Sequence, residues 1–234
     1  MQNYKAKYTD KNGSVNTIIT NNFQEGNVGS LFMEVDGVKF EGTSFDDFIL
    51  IDKEEHTKEE LKRFAFAQIN VHGSDNYIFS LCDCVLEFSI PVILIREKIN
   101  ENVSGTLDVH LTLGRALNKG ALAFEEANFK LKFENKKLES TSDYFEMGFQ
   151  GIRKQLNGEI AIKNCFTCLY SDYHPIGNSF FGSMMCFKNN KDAYLKVMDK
   201  ISFLKLTEKG FIYVQETYSC AEYKKRSQNI GYRG

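Results

Sequence analysis

The chain's 234 residues are 42% hydrophobic and 26% charged, with 20 Phe, 11 Tyr and no Trp, which suits one large or two small soluble domains with a sizeable core. A net charge of -2 hides an asymmetry: residues 1–142 carry 16 Lys and Arg against 22 Asp and Glu, or -6, and residues 143–234 carry 13 against 9, or +4. Neither half has the dense basic surface of a dedicated nucleic-acid binder, and the longest apolar run, Ile90 to Ile95, is too short to span a bilayer.

The first ten residues contain no apolar stretch of the secretory kind, so a soluble cytoplasmic protein without a membrane partner is expected. In that compartment the six cysteines are thiols or metal ligands rather than disulfides.

Up to about residue 140, short apolar alternations separated by Gly, Asn and Asp predict an all-β region. Strands are expected at Tyr4–Tyr8, Asn16–Thr20, Leu31–Val35, Val38–Phe40 and Asp46–Ile51, with Asp36-Gly37 as a tight hairpin turn. Thr57 and Glu60 have capping-box spacing, and a strand follows from about Arg63 to Val71. Tyr77–Ile95 places Cys82, Cys84, Leu86, Phe88 and Ile90 on one face, while Pro91 requires a bend or an edge because it cannot donate to a ladder. Thr106–Leu113 and Ala127–Phe133 complete the set. Together these predict a β-sandwich of two packed sheets over residues 1–142.

Cys82 and Cys84 on an apolar face pack as small hydrophobes. The acidic groups Asp46-Asp47 and Asp52, Glu54 and Glu55 lack the fixed spacing of a calcium loop and read as solvated charge. His56, His72 and His110 stand apart from any nucleophile.

From residue 143 a smaller α+β domain, stabilised by metal, is expected. Asp143 is the predicted N-cap of a helix with Phe145, Phe149, Ile152 and Leu156 on its apolar stripe and Asn157-Gly158 as its stop. A strand over Glu159–Lys163 then delivers Cys165 and Cys168. With Cys186 and Cys220 they make a candidate structural zinc site, since zinc in such sites takes four tetrahedral ligands, commonly thiolates.

Between these cysteines lies the loop Leu169–Asn178, in which Asp172 and His174 are either an acid-base pair or parts of an ordered turn around Pro175. Ser179–Phe187 reads as a strand, Asn189–Lys200 as a helix burying Ala193, Tyr194, Val197 and Met198, and Ile201–Leu206 with Phe211–Thr217 as a hairpin presenting Cys220. The basic tail ends Gly-Tyr-Arg-Gly, and Arg233 is expected to pair with Glu216 or Glu222.

The segments Cys165-Phe-Thr-Cys-Leu-Tyr-Ser-Asp-Tyr173, Met185-Cys186-Phe187, Glu216-Thr-Tyr-Ser-Cys220-Ala-Glu222 and the terminal Gly-Tyr-Arg-Gly resemble an uncharacterised bacterial family, a domain of unknown function, as does Leu81 to Pro91. The resemblance implies bacterial origin and a shared fold. Two functional classes stay open. One is a binding or interaction protein with a protein partner, of the immunity or effector-associated kind, held by structural zinc. The other is a hydrolase using Asp172 and His174, with Ser171, Glu216 or Arg233 assisting.

Overall fold

The structure, a computed structural model, describes residues 1–70, 76–156, 158–174, 181 and 184–226. The chain is mainly β, with one large antiparallel sheet and one small one. Strands β1 (Gln2–Asp10) and β2 (Gly13–Asn21) form a long hairpin, followed by β3 (Leu31–Val35) and β4 (Val38–Gly42). Asp36 and Gly37 join the latter pair at φ 48 and 82, the left-handed values that a two-residue hairpin turn requires. Of the expected strand Asp46–Ile51 only β5 (Ile49–Leu50) forms, because Asp46 and Asp47 turn back to bond Ser44 and Thr43.

The capping box closes as expected: Glu60 N–H donates to the Thr57 hydroxyl and Thr57 N–H to the Glu60 carboxylate at 2.7 Å, but the helix they start, α1 (Lys58–Leu61), lasts one turn. Next come β6 (Ala65–Asn70), β7 (Tyr77–Cys82), β8 (Cys84–Arg96), β9 (Glu101–Leu113), β10 (Glu125–Phe133) and β11 (Lys136–Ser142). Val71 and His72 lie outside the described residues. Strand β11 has no sequence expectation behind it; as an edge strand against β10 it buries none of its side chains fully, so its pattern is polar throughout.

The strand order is β11-β10-β9-β8-β1-β2-β3-β4-β5-β7-β6. In place of the expected sandwich of two sheets, one sheet curls around a single core. Asp83, at φ 50, kinks the chain between β7 and β8, so the two ends of the stretch β8-β1-β2-β3-β4-β5-β7 are joined covalently. Phe64, at the start of the last strand on the path, packs against Tyr8 of β1 and Phe40 of β4, and the Arg63 guanidinium reaches Asp10 at 2.9 Å and also Asp36.

Strand β8 pairs with β9 along its full thirteen residues. Its other edge is divided between β1, at Val85–Phe88, and β12 (Ile160–Ile162), at Leu94–Arg96. Pro91 falls in the interval. The Lys163 N–H donates to the Ile93 carbonyl on the β12 side, and by pleat alternation Pro91 faces the same way, onto backbone that makes no ladder there. The edge expected for Pro91 is thus the middle of a strand with one side locally unpaired.

Helix α2 (Phe145–Gln155) packs on β10 and β11 through Phe145, Gly148, Phe149 and Ile152. Its N-cap is Tyr144 rather than Asp143, with no side-chain cap bond; Ser142 accepts the Tyr144 N–H instead. Asn157 lies outside the described residues. The main core cluster runs from Tyr4 to Val214 and takes in Phe149, Cys165, Phe166, Phe181, Met184 and Cys186, so it continues past residue 143. No helix among the described residues is long and apolar enough to cross a membrane.

Two changes probe this packing. At Gly148 an added Cβ would lie 2.1 Å from the Phe129 ring, so Gly148→Ala should destabilise by about 1–3 kcal/mol through overpacking, although helix propensity alone favours Ala by about 1 kcal/mol. A urea midpoint at or above wild type would show that the helix does not approach so closely. At Asp46, burial chiefly, with the charges of Asp47 and Glu125, pushes the carboxyl up to about 7 against the bond from Ser44. A carboxyl raised in the fold contributes stability that is complete below its unfolded pKa of about 3.9 and is lost as pH rises through the folded value. Asp46→Asn should therefore gain on wild type by about 1–2 kcal/mol between pH 5 and pH 8, read by urea denaturation at both.

Candidate functional site

The candidate site is assembled by a return of the chain on itself. Asn164, following β12, caps a single helical turn over Cys165–Thr167: its side chain accepts the Thr167 N–H at 3.1 Å, and the Cys168 N–H bonds the Cys165 carbonyl. The Thr167 hydroxyl donates to the Ile162 carbonyl and fixes the turn on the strand that delivers it. Residues 215–226 then lie against this turn. Cys165 N–H donates to the Tyr218 carbonyl at 2.7 Å, Phe166 N–H to Glu216, Leu169 N–H to Lys224 at 2.6 Å and Arg226 N–H to Thr167, with a bridge between Cys168 and Lys225.

The small sheet brings the remaining ligand candidate. Strand β13 (Ser171–Tyr173) pairs with β14 (Met184–Cys186), which pairs with β15 (Ile212–Val214); Cys186 stands opposite both Ser171 and Ile212. Residues 175–180, 182 and 183, between the first two strands, lie outside the described residues. Helices α3 (Lys191–Tyr194) and α4 (Lys200–Thr207) connect β14 to β15. The expected strand at Ile201–Leu206 is a helix because Asp199 and Ser202 form a capping box, with the Asp199 carboxylate accepting the Ser202 N–H at 2.7 Å. Its buried residues, Phe203 and Leu206, keep helical spacing. Strand β15 accordingly finds its partner in β14 rather than in a hairpin. Met198, expected inside, is 87% exposed, because α3 stops after one turn.

The four predicted cysteines lie within electrostatic reach of one another, Cys165 feeling Cys168, Cys186 and Cys220. Cys165, Cys168 and Cys186 are buried and Cys220 is half-buried. Burial, and then the neighbouring Cys168, Cys186 and Cys220, hold the Cys165 thiol well above its ordinary pKa. The Cys186 thiol is pushed up to about 11, first by burial and further by Cys168 and Cys220, against a bond from the Lys188 backbone N–H. Among the described residues no group of three or more His, Cys, Asp or Glu side chains is placed so that it could hold a metal ion. Cys82 and Cys84 sit elsewhere, buried on either side of the Asp83 kink, and burial raises the Cys84 thiol to about 12.

Asp172 and His174 have different settings. Asp172 is 1% exposed; its carboxylate accepts the Tyr194 hydroxyl at 2.8 Å and stands 3.7 Å from the Arg226 guanidinium. Arg226 in turn donates to the Tyr194 oxygen at 2.7 Å and to the Ser171 carbonyl. The buried carboxylate ties three chain segments together. His174 is half-buried at the end of β13. Ser171 is fully buried with its hydroxyl against the Met184 sulfur, and Glu216, also fully buried, accepts the Tyr173 hydroxyl. Arg233 and the Gly-Tyr-Arg-Gly tail lie outside the described residues.

Sequence reasoning missed the groups around the cysteines that come from afar. Glu25, on the loop between β2 and β3, accepts from Lys188 at 2.5 Å and from the Tyr218 hydroxyl at 2.8 Å, and Lys188 first, then Tyr218, hold its carboxyl below the usual range. Asn21 exchanges amide bonds with Gln215, at 2.7 and 3.2 Å. The even spacing of Lys188 from Cys186 and of Tyr218 and Glu222 from Cys220 was the signal available in the sequence; Glu25 offered none. A separate shallow groove of about 770 Å³ lies on the polar outer face of β1 and β8–β11, lined by Lys5, Lys7, Glu87, Asp108, Lys130, Lys132 and Glu139 among others.

A family model matches residues 2–171, and the chain belongs to that family, one of unknown function (DUF6304). The match takes in Cys165 and Cys168 and stops before Cys186 and Cys220. No curated protein and no solved structure matches the chain.

Asp172→Ala would leave the Arg226 charge buried without its carboxylate, a loss of about 3–5 kcal/mol for a buried pair. Tyr194→Phe should cost less, about 1–3 kcal/mol, for the missing donor. Chemical denaturation reads both; an Asp172→Ala protein as stable as wild type would restore Asp172 as a candidate acid.

Proposed function

We propose that this member of the DUF6304 family is a non-catalytic binding protein of a reducing, cytoplasmic compartment, whose C-terminal part is a small α+β unit held by one structural zinc ion on Cys165, Cys168, Cys186 and Cys220. The observation that supports the reading is the return of residues 215–226 onto the Cys165 turn, through backbone bonds from Cys165 and Leu169 to residues 218 and 224, which brings Cys165 within electrostatic reach of Cys168, Cys186 and Cys220. Four thiolates around zinc leave no open position for water, which suits a structural ion rather than a hydrolytic one. Zinc binding in such sites is worth on the order of 10 kcal/mol at neutral pH, enough to fold a unit with a small core of its own. The second apolar cluster, from Cys168 to Leu206 with nine buried members among the described residues, is of that kind.

A protein partner fits the polar groove across β1 and β8–β11, where charges of both signs alternate: Lys7 with Glu87, Lys132 with Asp108 and Lys130 with Glu139. Mixed exposed charge of this kind favours specificity and orientation over nonspecific attraction. The hydrolase alternative gains nothing from the placement of its acid, Asp172, or of its nucleophile candidate, Ser171, both sealed from solvent.

Protein purified under reducing conditions should carry about one zinc per chain by elemental analysis, and the thiols of Cys165, Cys168, Cys186 and Cys220 should react with a thiol reagent only after chelation. Absence of metal together with freely reacting thiols would overturn the zinc site. Cys168→Ser should lower the thermal midpoint much more than Cys84→Ser, and equal effects would mean that Cys168 is packing and no more.

A further inference from the structure

We infer that the corner between α3 and α4 is a contact surface for an anionic bilayer, its apolar tips entering the headgroup layer and its lysines meeting the lipid charge; this stands independently of the zinc reading above. Leu195, Met198 and Ile201 are 39%, 87% and 67% exposed, three large apolar side chains on one short stretch. Apolar side chains exposed together and rimmed by charge mark an interaction site rather than ordinary surface. The charge here has one dominant sign: residues 195–209 carry Lys196, Lys200, Lys205 and Lys209 against Asp199 and Glu208.

The corner is held out by its own anchors. Tyr194, Val197 and Phe203 are buried in the second apolar cluster, so the residues set between them turn outward. Backbone and cap bonds fix that arrangement: Leu195 N–H donates to the Lys191 carbonyl at 3.0 Å, Val197 N–H to the Tyr194 carbonyl at 3.0 Å, and Met198 N–H to the Ser202 hydroxyl at 3.3 Å. The Asp199 carboxylate is engaged with the Ser202 N–H. Among the described residues Lys196 and Lys200 enter no ion pair, whereas Lys191, just before them, is drawn to Glu222 at 2.7 Å.

A bilayer fits these features better than a folded protein does. Protein interfaces are depleted in Lys, whereas a lysine's apolar stem and charged head suit the boundary between lipid and water. An anionic leaflet attracts lysines that lie within a Debye length of its surface. Met198, the most exposed of the three apolar residues, projects from a tight turn, and a fluid headgroup layer receives such a tip without the matching hollow that a protein partner would have to supply. With so few apolar tips the attachment is peripheral, reversible and sensitive to salt.

The experiment is co-sedimentation of the full chain with vesicles of phosphatidylcholine alone and of phosphatidylcholine and phosphatidylglycerol in equal parts. The chain should pellet with the mixed vesicles at low salt, stay in the supernatant with phosphatidylcholine alone, and come off the mixed vesicles as salt is raised. Met198→Gln combined with Ile201→Gln should lower the ratio of bound to free protein about tenfold, and Lys196→Gln combined with Lys200→Gln by a similar factor. Met147→Gln, at a 54% exposed site on α2, should leave the ratio unchanged. All five positions are exposed, so the variants keep the wild-type fold. Wild type that ignores anionic vesicles, either double variant that binds them as wild type does, or Met147→Gln that binds as weakly as the double variants would overturn the inference. So would self-association of wild type that is lost in the Met198 and Ile201 variant without any vesicle binding, which would give the patch to a second copy of the chain.

Discussion

A thirteen-residue strand must satisfy backbone groups on two edges, and β8 meets that constraint with β9 along one side and two unrelated partners along the other. From β1 the sheet continues round to β7, which the Asp83 kink returns to β8, so the curl of the N-terminal region is set by the strand that begins it. From β12 the chain enters the cysteine turn directly. The interval between these partners is where Pro91 can stand without losing a ladder bond, and Gln215, Thr217, Tyr218 and Ser219 border the same opening together with Gln2 and Phe23.

The C-terminal region is therefore continuous with the large sheet through backbone as well as side chains. Three polar ties reinforce it: Asn21 with Gln215, Glu25 with Lys188 and Tyr218, and Lys225 with Glu97. The first is buried and exchanges two amide bonds, so each partner satisfies the other; the others lie nearer solvent and contribute orientation more than stability. Asp172, Tyr194 and Arg226 do the same work inside the small lobe, where breaking one member strands a buried charge.

Much of the fold is legible in short-range pattern. The Asp36-Gly37 turn, the Thr57–Glu60 capping box and strands within 77–95, 106–113 and 127–133 follow from turn chemistry and alternation, and the structure extends the last two at their starts to Glu101 and Glu125. Where competing local signals met, the weaker-looking one won: Asp199 and Ser202 outweighed the apolar alternation of Ile201 to Leu206, and Ser142 displaced Asp143 at the start of α2. The polar strand β11 was invisible because an edge strand under a helix of its own chain needs no apolar face to be held.

By itself the sequence determined the antiparallel β character and the turns, because alternation and left-handed turn residues act over a few residues. Tertiary structure alone decided that one large sheet forms where two were expected, that Asp172 is an anchor in a sealed interior, and that Glu25 stands beside Lys188 some 160 positions later in the chain. Those outcomes depend on which distant strand completes the free edge of β8, and edge pairing is a property of backbone groups that every residue but proline carries alike.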